Sequence, residues 1–354
     1  MSSIFMTLNI DEIFNQAVAS GASDVHLAVG HAPIFRIDGD LKPIEKWPNL
    51  DNEMVQKLIN DITSKEQQKE FGRSLSIDFS YDLKNGVRVR VSVFQEKGNS
   101  SLAGRIILPN IPTMEKLMMP EAAYDFARSQ NGLILVTGPA GSGKSTSLAA
   151  MIDLISKERA CHIIALEDPI EYVFPANKSL IAQRELGRDM KTFDDGMKRI
   201  VRQDPNVIMV GEMRDLETIS SAVTLAETGH LVISTLHTPD AIQSVSRIID
   251  VFPANQQTQI KVQLSISLKG VIAQKLLPKQ DGGLIAAREV LVNTPAVAHL
   301  IRENKVAQIK THIQTGAEEK MFTMDQDIKK LYKQKLITKE TAIAHMVTPS
   351  ELEA

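Results

Sequence analysis

The stretch Gly138-Pro139-Ala140-Gly141-Ser142-Gly143-Lys144-Ser145-Thr146 contains the pattern G-x-x-x-x-G-K-S. It follows an apolar run typical of a strand and precedes a segment typical of a helix. The glycines let backbone N–H groups close around phosphate oxygens, and a helix N-terminus stabilises the bound anion. In this pattern Lys144 reaches the β- and γ-phosphates, and the hydroxyl of Ser145 ligates Mg²⁺. The alternative is a glycine-rich turn without a ligand, but the strand-and-helix context favours a nucleotide site formed by all nine residues.

Four short apolar runs after residue 131 lack the polar alternation of half-exposed strands. Runs that are apolar on both faces are typical of parallel strands covered by helices on both sides. Each run is followed by polar residues, and ligands of open α/β sheets bind beyond the carboxyl ends of the strands. We therefore expect a parallel α/β sheet with one site along its carboxyl edge. The runs are 133–136, 163–166, 207–210 and 231–233.

Two acidic residues that follow such runs are candidates for the chemistry of this site. Many phosphate-loop enzymes place a Mg²⁺-holding aspartate at the position that Gly211 occupies here. Glu212 is then the carboxylate best placed to orient or deprotonate an attacking water. Glu167 can bind Mg²⁺ through water or help to position the nucleophile. The alternative for Glu212 is a solvated residue at the start of a loop, and for Glu167 it is a simple turn with Asp168 and Pro169.

Two histidines, His230 and His237, bracket the predicted strand 231–236. A single buried histidine is more often a hydrogen-bonded structural residue than a catalytic one. His237 lies at the carboxyl end of its strand, where it is placed to sense a γ-phosphate. Metal binding is not expected, because no other ligands cluster near either histidine at a suitable spacing.

Residues 1–108 read as a mixed α/β module. The segment Val87 to Phe94 alternates strictly, which predicts valines facing a core and Arg88 and Arg90 facing outward. The next predicted strand, 102–108, carries Arg105, which shares a surface with Arg90 if the register permits. Such a pair can supply positive charge to a transferring phosphoryl group, the alternative being two solvated charges.

Prolines at positions 109, 112 and 120 predict a linker over 109–130 between this module and a second domain, 131–354. The second domain is expected to be mainly helical from about residue 294. A chain of 354 residues with 43% hydrophobic residues is long enough for two domains with cores.

The composition excludes several classes of protein. No apolar run approaches the roughly 18–20 residues that cross a bilayer, and the N-terminus shows no signal peptide. The single cysteine, Cys161, excludes an internal disulfide. A net charge of −3 gives no reason to expect nucleic acid as a partner. These features predict a cytoplasmic protein without a transmembrane segment.

Together the motifs resemble the secretion and pilus-motility ATPase superfamily. Within it the chain is most similar to the type IV pilus retraction ATPases of the PilT and PilU type, and the similarity covers nearly the whole chain. The strings that carry it are the Walker A stretch 138–146, the Asp box 167–171, the atypical Walker B segment 211–215 and the His box 228–238.

The resemblance implies a PAS-like N-terminal α/β domain joined to a RecA-like P-loop ATPase domain. It implies a homohexamer with ATP and Mg²⁺ between the two domains, driving pilus retraction from the inner face of the cytoplasmic membrane. The implied partners are a pilus platform protein of that membrane and a second pilus ATPase. The catalytic residues it implies are Glu212, Glu167, His230, His237, Arg90 and Arg105.

Two features favour retraction over extension or type II secretion. Extension and secretion ATPases usually carry an additional N-terminal domain, for which this chain has no room. Many of them also carry a four-cysteine zinc site, whereas this chain has a single cysteine. The chain departs from the principal retraction ATPases at Ala298, where their C-terminal motif has an arginine, so an accessory retraction role stays open. A DNA-translocating motor or a nucleotide-binding scaffold without hydrolysis are the rivals from other classes. A basic groove with aromatic residues would indicate a DNA-translocating motor. An absence of ATP turnover would indicate a scaffold that binds nucleotide without hydrolysing it.

Overall fold

The computed structural model describes residues 8–37, 39–107 and 111–352, and the chain forms two compact units. The first unit comprises residues 1–110 with 171–173, and the second comprises 111–170 with 174–354. The predicted end of the first domain, at residue 108, lies outside the described residues.

The first unit is an antiparallel sheet of six strands in the order β3-β2-β1-β6-β5-β4, with helices packed on one face. The first helix begins after Asn9, whose side chain accepts a hydrogen bond from the Asp11 N–H. Phe14 of this helix packs against the sheet at Gly104, where a Cβ would lie 2.7 Å from the ring. The elements are α1 (Ile10–Ala19), β1 (Asp24–Leu27), β2 (Ile34–Ile37), β3 (Asp40–Pro43), α2 (Asn52–Ile62), α3 (Lys65–Ser74), β4 (Ser76–Asp82), β5 (Arg88–Glu96) and β6 (Asn99–Ile107).

The alternating pattern of β5 predicts that Arg88 and Arg90 both face outward into solvent, and the prediction is wrong for the exposure of Arg88. Arg90 is exposed, but Arg88 is only 6% exposed and its Nε lies 2.9 Å from Asp82 Oδ1. Both arginines lie on the same face of the strand, so the difference arises from their neighbours. Asp82 stands opposite Arg88 on β4 and supplies a carboxylate that allows the guanidinium to be buried.

The second unit contains a sheet of seven strands in the order β13-β12-β7-β11-β10-β8-β9, in which β12 and β13 pair antiparallel and all other neighbours are parallel. The predicted parallel α/β sheet is therefore confirmed. Its strands are β7 (Gly132–Thr137), β8 (His162–Glu167), β9 (Leu180–Glu185), β10 (Val207–Val210), β11 (Leu231–Leu236), β12 (Leu268–Pro278) and β13 (Leu284–Val292).

Helices cover both faces of this sheet. Alternate residues of β7 belong to different cores: Leu133 and Leu135 pack with α7 to α10, and Ile134 and Val136 pack with α4 and α5. This explains why the strands are uniformly apolar. The helices are α4 (Glu121–Arg128), α5 (Lys144–Glu158), α6 (Phe193–Ile200), α7 (Leu216–Glu227), α8 (Ala241–Asp250), α9 (Gln257–Ser267), α10 (Pro295–Arg302), α11 (Ile309–Thr315), α12 (Met324–Lys333) and α13 (Lys339–His345).

Residues 111–130, which the sequence predicts to be a linker, are part of the second unit. Helix α4 lies in this segment, and its residue Phe126 is buried over Gly270 of β12, where a Cβ would lie 2.1 Å from the ring. The buried guanidinium of Arg288 donates hydrogen bonds to the carbonyls of Leu117 and Met118. Pro112 and Pro120 therefore lie in a segment that packs with the second unit.

The C-terminal region is helical from Pro295, close to the predicted position. Thr294 accepts the Val297 N–H and Pro295 occupies the first turn of α10, so the helix begins with a side-chain cap and a compatible residue. Over the described residues, no helix is long and apolar enough to cross a membrane.

Candidate functional site

The glycine-rich loop joins β7 to α5 and has the backbone geometry of an anion-binding loop. Gly138, Gly141 and Gly143 have φ angles of 146°, 73° and 82°, a region that residues with a Cβ rarely adopt. A Cβ at Gly138 would also lie 2.2 Å from the carbonyl oxygen of Gln274. The N-terminus of α5 at Lys144 follows directly, so its free N–H groups point toward the loop.

The Lys144 ammonium lies within this loop. Its Nζ donates hydrogen bonds to the carbonyls of Gly138 and Pro139, at 2.8 and 2.9 Å, and the side chain is buried. Ser145 and Thr146 are half-buried in the first turn of α5. The Ser142 hydroxyl is buried and has no hydrogen-bond partner among the described residues. These donors, together with the loop amides, fit the oxygens of a polyphosphate.

Gln274 of β12 holds the loop from outside and was missed in the sequence analysis. Its Nε2 donates to the carbonyl of Ser142 at 2.8 Å, and its Oε1 accepts from the hydroxyl of Ser147 in α5 at 2.9 Å. The side chain is 1% exposed. A single amide inside the apolar run of β12 is the signal that could have indicated it, because a buried amide requires partners for both of its ends.

The sheet brings four predicted features to one edge. Strands β7, β11, β10 and β8 are parallel neighbours, with Thr137 opposite Leu236 and Val210 opposite both Ser234 and Leu166. The loop after β7, His237 after β11, Glu212 after β10 and Glu167 at the end of β8 therefore lie along the same carboxyl edge. This is the arrangement that the order of the apolar runs predicts.

Glu212 is held by two cationic or polar groups, one on each oxygen. His237 Nε2 lies 3.2 Å from Oε1, and Arg214 Nε donates to Oε2 at 2.9 Å. The Arg214 guanidinium also lies 3.7 Å from Asp168 Oδ2. The hydrogen bond that Arg214 donates to Glu212 is the main reason that the pKa of Arg214 rises above its usual value. The structure thus pairs His237 with Glu212 and adds Arg214, which the sequence analysis did not select.

Glu167 is buried at the end of β8, where its Oε1 accepts a hydrogen bond from Gln183 Nε2 at 2.9 Å. Gly211 faces it: a Cβ on Gly211 would lie 3.5 Å from the Cα and 3.9 Å from the Cγ of Glu167. The glycine at the usual aspartate position therefore leaves room beside the Glu167 carboxylate. Because burying a carboxylate is costly unless it is hydrogen-bonded, the burial of Glu167 and its bond to β9 favour a role in the site over a simple exposed turn.

His230 lies at the other end of β11 from His237, and the structure does not bring it to Glu212. Its Nδ1 is 3.1 Å from the carbonyl of Leu225, at the end of α7, and its own carbonyl accepts the Gly132 N–H. Within this chain the geometry supports the structural alternative, in which His230 fixes the entry into the strand.

In the first unit, Arg90 and Arg105 stand directly opposite each other on β5 and β6, so they share one face of the sheet. Both are exposed. Arg105 Nε donates to Asp24 Oδ1 at 2.9 Å, and Asp24 also lies 3.7 Å from the Nε of Arg36. Like charges opposite each other repel, and Asp24 compensates this repulsion from the neighbouring strand.

A family model described as "Type II/IV secretion system protein" matches residues 2–346 of the chain. The chain is 44% identical over 335 residues to the type IV pilus retraction ATPase PilT of Pseudomonas aeruginosa, covering 95% of this chain and 97% of that protein. It is 38% identical to the type IV pilus ATPase PilU of the same organism, covering 98% and 90%.

Among solved structures, the crystal structure of the pilus retraction motor PilT with bound ADP superposes with a TM-score of 0.91 at 46% identity. The match covers 98% of this chain and 99% of that one. The similarity therefore extends through both units of the protein.

Proposed function

The chain belongs to the type II/IV secretion system protein family, in the group that contains the PilT pilus retraction ATPases, and on that basis we propose that it hydrolyses ATP to drive retraction of a type IV pilus. The single observation that supports this most is the carboxyl edge of the second sheet. There the phosphate loop, Glu167, Glu212 and His237 follow four adjacent parallel strands. A solved PilT relative of the same fold contains ADP.

In the proposed reaction the loop amides and the N-terminus of α5 bind the β- and γ-phosphates. Lys144 exchanges its carbonyl hydrogen bonds for phosphate oxygens and neutralises part of their charge. Glu212, oriented through both of its oxygens, accepts the proton of the attacking water. Glu167 helps to position that water from the neighbouring strand end.

Mg²⁺ fits this site as a partner of the nucleotide. The described residues contain no group of three or more His, Cys, Asp or Glu residues that could hold a metal ion. Mg²⁺ commonly takes one or two protein oxygens and completes its shell with phosphate and water. We assign the Ser145 hydroxyl, in the first turn of α5, as its protein ligand. When bound, the ion would stabilise the charge that develops on the phosphates.

Arg90 and Arg105 are proposed to add positive charge to the nucleotide site in a homohexamer. Their exposed positions opposite each other on one face of the sheet support this role. Two arginines aimed at a transferring phosphoryl group are a recurrent device of ATP hydrolysis.

The ring is proposed to work in the cytoplasm at the inner face of the cytoplasmic membrane, against a pilus platform protein. The full-length similarity to a retraction ATPase supports retraction. The similarity to PilU, together with Ala298 in place of an arginine, keeps the accessory retraction role as the second candidate. Pilus extension or type II secretion is the third.

Deletion in the native host separates these candidates when piliation and twitching are scored together. Loss of the principal retraction motor should leave over-piliated cells that do not twitch. Loss of an accessory motor should leave retraction at reduced force. A deletion strain without surface pili would contradict both retraction roles and indicate extension.

ATP turnover by the purified protein tests the chemistry independently of the host. Glu212→Gln preserves shape but removes the base, so ATP should still bind while turnover falls by about 10²–10⁴-fold. A Glu212→Gln variant that turns over ATP at the wild-type rate would contradict the assignment.

A further inference from the structure

The segment that carries Glu212 has a backbone fixed at several points. The Gly211 N–H donates to the Leu166 carbonyl, and the Thr235 hydroxyl donates to the Gly211 carbonyl at 2.6 Å. The Met213 N–H donates to the Thr235 carbonyl, and the Met213 side chain is buried. The position of the Glu212 carboxylate therefore depends on its side-chain torsions, which only its side-chain contacts can restrict.

One of these contacts is the Arg214 guanidinium, which stands between two carboxylates. Its Nε donates to Glu212 Oε2 at 2.9 Å, and its Nη1 lies 3.7 Å from Asp168 Oδ2. Asp168 lies two residues beyond Leu166, and Glu212 lies two residues beyond Val210, which is the register partner of Leu166. The two acids thus occupy equivalent positions beyond neighbouring strands, and the guanidinium spans the gap between them.

We propose that Arg214 is a positioning residue for ATP hydrolysis: held by Asp168, it orients the Glu212 carboxylate toward the attacking water. This inference rests on the function proposed above. Arg214 acts through Glu212 and makes no contact with substrate in this assignment. An arginine suits the task because its planar fork can bind two acids at once and keeps its charge throughout the physiological pH range.

The two oxygens of the Glu212 carboxylate have different partners, which explains how Glu212 can be oriented and still act as a base. Each carboxylate oxygen accepts about two hydrogen bonds. His237 Nε2 lies 3.2 Å from Oε1, and Arg214 donates one hydrogen bond to Oε2, which leaves capacity on each oxygen for a water molecule. A carboxylate held on one side only could rotate about its last torsion, and small misplacements of a reacting group slow catalysis strongly.

The pair is exposed enough for this role to be separable from folding. The Arg214 side chain is 65% exposed, and exposed ion pairs contribute little to stability. Removing the guanidinium should therefore disturb the geometry of Glu212 without unfolding the unit. This permits a kinetic test with folded variants.

The test compares ATP turnover of the purified full-length protein with that of Arg214→Gln, Glu212→Gln and the double variant. Arg214→Gln should lower kcat by about 10- to 100-fold, the range expected for misplacing a reacting group. The KM for ATP and the binding of ADP should stay within about twofold, because the phosphate loop is untouched. Arg214→Lys should recover part of the lost kcat, since it retains the charge but loses the fork.

The double variant distinguishes positioning from a structural role. A residue that acts through Glu212 should cause no further loss once Glu212 is already glutamine, whereas independent effects multiply. The matched control is Arg247→Gln, an exposed arginine of α8 outside the site, which should leave turnover unchanged. Wild-type kcat in Arg214→Gln, a raised KM as its main defect, or a further tenfold loss in the double variant would each overturn the inference. A wild-type protein that does not hydrolyse ATP at all would instead overturn the proposed function and this inference with it.

Discussion

Replacing Gln274 should weaken both the second unit and its affinity for nucleotide, because this side chain ties the phosphate loop to α5. In Gln274→Leu the carbonyl of Ser142 and the hydroxyl of Ser147 lose their partner in a buried environment. A buried polar group left without a partner costs about 1–3 kcal/mol. For two such groups, and with the additional apolar surface of leucine counted against them, the free energy of unfolding should fall by about 2–4 kcal/mol.

Part of this lost stability should come from the conformation of the phosphate loop. Gly143 lies near the side-chain amide nitrogen of Gln274, so a shift of this side chain is felt at that glycine of the loop. If about 1.4 kcal/mol of the loss affects the phosphate-binding conformation, the Kd for ADP rises about tenfold. Gln274→Glu preserves the volume and the acceptor for Ser147 but removes the donor to Ser142, and it adds the cost of burying a carboxylate beside the Ser142 carbonyl.

The assay is urea unfolding of the purified protein together with calorimetric titration of ADP. Gln259→Leu makes the same chemical change at an exposed position of α9 and should alter the unfolding free energy by no more than about 0.5 kcal/mol. If both Gln274 variants matched the control in unfolding free energy and in the Kd for ADP, Gln274 would not hold the phosphate loop as proposed.

The remaining predictions concern the phosphates, the arginines, pH and assembly. Lys144→Ala should weaken ATP binding as well as turnover, measured by titration and phosphate release; unaltered binding would contradict its phosphate contact. Arg90→Ala and Arg105→Ala should each lower turnover far more than thermal stability, and full activity in both folded variants would leave them as solvated charges. Burial alone would raise the pKa of Asp24, but hydrogen bonds from its neighbours, including Arg105, outweigh it and hold the pKa below its usual value. The stabilisation that ionised Asp24 gives to the folded protein is therefore present above the pKa of this carboxyl in the unfolded chain, and it is lost as the pH falls through its pKa in the folded protein. In acid titrations, the stability of Asp24→Asn should therefore fall less steeply below about pH 4 than that of the wild type. Light scattering should find a hexamer, and a monomer under all nucleotide conditions would count against a ring.

Features that depend on a local pattern can be read from the sequence alone. The phosphate loop follows from the spacing of its glycines and Lys144, because few backbones other than a strand–loop–helix turn use that spacing. Uniformly apolar runs predicted strands buried on both faces, and the polar residues after each run predicted one catalytic edge. Strict alternation from Val87 to Phe94 placed Arg90 on the outer face. Each of these rests on the period of a strand or helix, which neighbouring residues alone reveal.

Features that depend on strand order and register become visible only once the sheets are assembled. The side chain of Gln274 reaches the loop across 132 positions of sequence because β12 lies beside β7. Arg88 is buried, although strand alternation predicts that it is exposed. The register of β4 and β5 places Asp82 opposite Arg88, where its carboxylate pairs with the guanidinium. His230 and His237 flank opposite ends of β11, so His237 lies beside Glu212 while His230 contacts the Leu225 carbonyl. These contacts join residues far apart in the chain, and their partners are chosen by the packing of whole sheets, which no local pattern encodes.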